Sequence, residues 1–165
     1  MGIRRWDHER RRPVPVDPPS EEGHEEWPFY CATFHLAVGW YAQHRSDELF
    51  EFLMEMEPGW PLFSSDPANW PEWVDLADAV LGDPGYRRDD RPYLRHQLIA
   101  SAYVAAWGSR DVAECPGVRE LAAAMCSRDA TGQELENVWL GSVERCLANP
   151  EGMGGPYEIA APPSG

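Results

Sequence analysis

The sequence predicts an all-α protein, an irregular bundle of about six helices with an extended N-terminal arm and a Gly/Pro-rich C-terminal tail. Three observations carry that expectation. Apolar residues recur at i, i+3, i+4 and i+7 in several separate stretches, the period of a helix with one buried face. Caps and stops such as Ser46, Pro58-Gly59 and Gly108 punctuate those stretches. No stretch alternates apolar and polar residues with the period of two that a half-buried strand needs.

The elements follow in order. Residues 1–26, which include RRRPVPVDPPSEEGHEE, hold too much proline and charge for a helix and read as a flexible arm, extended over PVPVDPP. A helical domain is expected over 27–149. Its first helix, from about Phe29 to His44, is apolar nearly all the way round, as a helix packed on several sides must be. Ser46 caps the second, in which Leu49, Phe50, Leu53 and Met54 form a stripe opposite Glu48, Glu51 and Glu55. Pro71 starts a third, with Trp73, Leu76, Ala77, Val80 and Leu81 inward and Gly82 as its stop. A fourth runs from Asp89 or Asp90 to Gly108 through Leu94, Leu98 and Ile99, and a short fifth follows Pro116. Thr131 and Glu134 have the capping-box spacing for a sixth, with Val138, Trp139 and Cys146 inward. Residues 150–165 read as a flexible tail.

Composition narrows the class. At 165 residues with 43% hydrophobic and 12% aromatic side chains, the chain has enough apolar mass for one core and too much for disorder. No apolar run approaches the roughly 20 residues of a membrane span, and MGIRRWDHERRR lacks the apolar stretch of a secretory signal. A cytoplasmic protein without membrane association is expected. Cys31, Cys115, Cys126 and Cys146 are scattered and read as free thiols. All 14 basic residues are arginine, a codon bias of GC-rich bacterial genomes with no bearing on mechanism.

Charge is unevenly spread along a chain of net −14. Residues 20–90 hold 16 acids against three arginines, a net of −13. Such a surface repels nucleic acid and anionic membranes and attracts basic proteins. The arginines of RRWDHERRR read as a solubility arm, or one that folds back on the acidic body.

Motifs for chemistry are sparse. Cys31 and His35 lie four apart on one helix face, the spacing of two metal ligands or of a thiol and its base, but no second pair completes a tetrahedron and nothing marks an oxyanion site. Glu21 and His24 have the E-x-x-H spacing of di-iron bundles, once only, beside Gly23 in the arm. His96 falls on a polar helix side and His44 at a helix end, with no catalytic reason for either. Phosphate-cradling glycine motifs are absent. No cofactor, metal or catalytic residue is expected.

The most unusual stretch is EPGWPLFSSDPANWPEW, residues 57–73. Its prolines stiffen it, so it loses less entropy on ordering than an ordinary loop. Trp60, Phe63 and Trp70 serve either as a lid on the core or as a presented aromatic platform, rimmed by Asp66, Glu72, Asp75, Asp78, Glu51 and Glu55. Three functional readings follow. The first is a non-enzymatic acidic module docking on a basic protein, such as an immunity-type inhibitor of a nucleic-acid-binding enzyme. The second is an enzyme or ligand carrier with a pocket between helices, lined by Tyr30, Phe34, Tyr41 and Trp107 around Cys31 and His35. The third is an oligomeric structural subunit.

Overall fold

The first helix sets the architecture of the computed structural model, which describes residues 4–7, 12–15, 26–59, 63–64, 69–81, 93–108, 116–148 and 159. In chain order the elements are β1 (Arg4–Asp7), β2 (Arg12–Pro15), α1 (Trp27–Gln43), α2 (Asp47–Met56), β3 (Pro58–Gly59), β4 (Phe63–Ser64), α3 (Asn69–Leu81), α4 (Leu94–Gly108), α5 (Pro116–Met125) and α6 (Ala130–Ala148). Six helices make an all-α fold. The strands form two small antiparallel ribbons, β1 with β2 and β3 with β4.

Helix α1 packs against α6, α2 and α4, which explains why its sequence shows no polar face. Pro28 occupies its first turn, where a missing N–H costs nothing. At the other end the His44 amide closes the helix on the Trp40 carbonyl at 2.9 Å, and the His44 ring stacks on Trp40 at 3.9 Å. Helix α2 begins as its sequence predicts: Ser46 is extended (φ −150°) and its Oγ accepts from the Leu49 amide at 3.3 Å.

An aromatic cluster joins α1, α3 and α4. Trp73 lies edge-on to Tyr30 at 5.4 Å and tilted against Tyr103 at 5.3 Å, while Trp70 meets Trp27 and Tyr30 edge-on at 5.2 and 5.3 Å. Such edge contacts match ring quadrupoles and add to the burial of area. Asn69, wholly buried beside the cluster, donates to the Glu55 carbonyl at 3.3 Å and accepts from the Tyr103 hydroxyl. On the far side of α1, Thr33 Oγ1 donates to the Phe29 carbonyl at 2.8 Å and accepts from Trp139 Nε1 at 3.1 Å, tying α1 to α6.

Several expectations need correction. Helix α6 is capped by Asp129, whose Oδ1 accepts from the Gly132 amide at 3.1 Å, rather than by Thr131. Val138, expected inward, is 44% exposed, and Leu98 on the fourth helix is 37% exposed. The Pro58-Gly59 stop also forms β3, and part of the proline-rich arm pairs as β1 and β2, with Trp6 opposite Pro13. Glu26, placed in the arm by its sequence, is buried to 2% exposure against α4. The proposed start of the fourth helix at Asp89 or Asp90, the stop at Gly82, Glu21, His24 and Cys115 lie outside the described residues, as does the tail apart from Ile159, which packs on the core.

The α2–α5 junction gives one prediction. A Cβ on Gly117 would overlap Ser46 Oγ, the atom that caps α2. Gly117→Ala is expected to displace that cap and cost about 1 kcal/mol. In a Ser46→Gly background the same change meets no hydroxyl, and urea denaturation should show it neutral or stabilising.

Candidate functional site

The residues singled out from the sequence fall into two groups. On the acidic side, Glu51 on α2 and Glu72, Asp75 and Asp78 on α3 are exposed. The last three sit at i, i+3 and i+6, the spacing that keeps side chains on one side of a helix. Glu55 is half-buried and accepts from Trp107 Nε1 at 3.2 Å, so it serves the α2–α4 contact. Trp70 is 6% exposed and belongs to the core. Trp60 and Asp66 lie outside the described residues, as does the side chain of Phe63.

The second group, expected to line a pocket, is core. Tyr30, Cys31 and Phe34 are inaccessible, Tyr41 and Trp107 are 3% and 6% exposed, and the Tyr30 hydroxyl donates to the Met56 carbonyl. Burial pushes the Cys31 thiol well above its ordinary range, and Cys146 reinforces the shift. The His35 imidazole is pushed the other way, down, by burial and by the neighbouring Arg145. Both shifts favour neutral forms, so this pair lacks the thiolate and imidazolium of an activated nucleophile. Burial likewise takes Cys146 to about 11, against the opposing pull of Arg145. Among the described residues no group of three or more His, Cys, Asp and Glu could hold a metal ion.

A prediction follows for the thiols. Cys126 is exposed, whereas Cys31 and Cys146 are buried. Peptide mapping after brief iodoacetamide treatment at neutral pH should find Cys126 modified and the two buried thiols intact until denaturant is added. Both thiols are raised in the folded state, so the associated stability is fully present below the ordinary thiol value of 9.0 and is lost as pH rises, for Cys146 through about 11.

Two features carry no sequence signal of their own. Glu26 and His96 are 70 residues apart, yet the His96 ring stacks on Phe29 at 3.7 Å with Nδ1 at the Glu26 carboxylate. Oε1 is nearer at 2.9 Å but off the hydrogen-bond direction, and Oε2, at 3.1 Å, makes the bond. Tyr93, at φ 57°, turns the chain into α4 beside this pair and packs on Phe29 at 5.3 Å. The arrangement fastens the start of α1 to α4.

The second is a cleft of about 520 Å³ between α4 and α6, closed at one end by the turn from α5. These two helices barely touch, each being held mainly by other elements: α4 by α5 and α3, α6 by α1. Leu36, Ala100 and Trp139 give the cleft an apolar floor. Gln97 and Ser101 line it from α4, Gln133 and Glu136 from α6. Gln97 Nε2 reaches across to Glu136 Oε1 at 3.5 Å, the long limit of a hydrogen bond. Ser127, Arg128 and Asp129 form the closed end. There the Ser127 hydroxyl and the Gly132 and Thr131 amides hold the Asp129 carboxyl below its ordinary value.

Compared with known proteins, the chain matches no family model, no curated protein and no solved structure. Among the described residues, no helix is long and apolar enough to cross a membrane.

Proposed function

We propose that this chain is a non-catalytic binding module whose α2–α3 region receives a basic protein surface. One observation carries the reading: α2 and α3 together bear seven carboxylates and no cationic side chain, and five of the seven (Asp47, Glu51, Glu72, Asp75 and Asp78) are exposed. Carboxylates gathered on two neighbouring helices add their fields, speed the approach of a basic partner and orient it. An inhibitor of a nucleic-acid-binding enzyme is the form that fits this chemistry best, because the cleft of such an enzyme is basic and accepts a surface of phosphate-like charge. The setting is cytoplasmic in this reading.

The test is capture of a basic partner from the native lysate, followed by measured affinity of the purified pair. Replacing Glu72, Asp75 and Asp78 together by arginine should weaken binding at least tenfold, and raised salt should weaken the unsubstituted pair. Equal binding by the substituted chain, or indifference to salt, would sink the reading.

A further inference from the structure

The geometry points to the α4–α6 cleft as a binding site for a short, extended, zwitterionic peptide of about three residues. The inference uses helices other than α2 and α3 and stands apart from the basic-partner reading.

The chemistry is set by what the two walls and the closed end present. Glu136, half-buried on α6, carries the negative charge of the walls, and its partner there is the Gln97 carboxamide at 3.5 Å. A ligand ammonium entering between them would replace that long contact with a short, charge-assisted bond. At the closed end Arg128 has no hydrogen bond or ion pair among the described residues. Asp129 beside it is already committed to Ser127, Thr131 and Gly132. Arg128 is therefore the charge available to a ligand carboxylate.

The spacing of these two positions along the chain sets the scale of the ligand. Glu136 lies eight residues beyond Arg128, seven of them in α6, which puts their backbone positions on the order of 12 Å apart at 1.5 Å of rise per residue. The ammonium and carboxylate of a single amino acid are too close together to meet both. Three extended residues, at about 3.3–3.6 Å each, span roughly 10 Å and can. Between the ends, the Gln97 and Gln133 carboxamides offer donors and acceptors matched to peptide N–H and C=O groups. The floor of Leu36, Ala100 and Trp139 accepts small apolar side chains. The volume lies within the range of small-molecule sites.

The test is calorimetric titration of the full chain with trialanine, N-acetyl-trialanine, trialanine amide and free alanine. Trialanine should bind, and blocking either terminus should weaken it at least tenfold. Glu136→Gln should weaken trialanine at least tenfold while leaving N-acetyl-trialanine unchanged; Arg128→Ala should do so with the amide as its insensitive control. Arg128 is exposed and Glu136 half-buried, and melting curves of both variants check that they fold. No heat at millimolar trialanine, equal binding of the blocked peptides, or alanine binding as tightly as trialanine would each overturn the proposal.

Discussion

Replacing Gly132 with alanine is expected to cost about 3 kcal/mol or more. Gly132 is buried in the first turn of α6, where a Cβ would overlap the Ser127 carbonyl oxygen and come close to its carbonyl carbon. The obstacle is backbone, which cannot rotate aside as a side chain can, so relief requires moving the α5–α6 turn. Insertion of even a methyl into tight packing costs about 1–3 kcal/mol, and a backbone clash falls at or beyond the upper end. Moving the turn would also pull the Gly132 amide from Asp129, uncapping α6. Urea denaturation of Gly132→Ala, with Gly141→Ala as control, separates this cause from general helix effects. A Cβ on Gly141 meets nothing within 4 Å, so that change should stabilise by about 0.5–1 kcal/mol. A Gly132→Ala protein as stable as its parent would refute the account.

Trp73→Ala is expected to cost about 3–5 kcal/mol, the range for emptying a fully buried aromatic site. The ring is shared by three helices, so no single neighbour can collapse into the space. Trp73→Phe should be far milder, about 1 kcal/mol. Trp73 Nε1 finds no acceptor among the described residues, and removing a buried donor without a partner offsets part of the lost area. Trp139 provides the contrast. Its Nε1 donates to Thr33, so Trp139→Phe loses area and a buried hydrogen bond together. Thermal melts of the two phenylalanine variants should rank Trp139→Phe as the more damaging; the reverse order would contradict this hydrogen-bond assignment.

The helices were legible because their signals are local. Ser46 and its stripe, the all-round apolar first helix, and the Trp73-Leu76-Ala77-Val80 series each state their own period within a dozen residues. Where two local signals competed, the sequence misled. Asp129 and Thr131 are both good caps, and the choice of Asp129 follows from the Ser127 turn and the close approach at Gly132, which no spacing reveals. Two-residue strands such as Pro58–Gly59 are too short to show a period. The Glu26–His96 pair was out of reach because its members meet only after α1 and α4 pack. The cleft was hidden for a related reason: Gln97, Ser101, Gln133 and Glu136 read as ordinary wet helix positions, and only the gap between α4 and α6 turns them toward a common space.

The Thr33–Trp139 bond joins positions 106 residues apart. During synthesis the apolar first helix therefore emerges from the ribosome long before the surface that covers it exists. Until α6 has been made, Leu36 and its neighbours must stay sheltered by α2, by a chaperone or by partial collapse. Completion of the fold waits on the last helix, and chains halted before Trp139 should be the form most prone to clump.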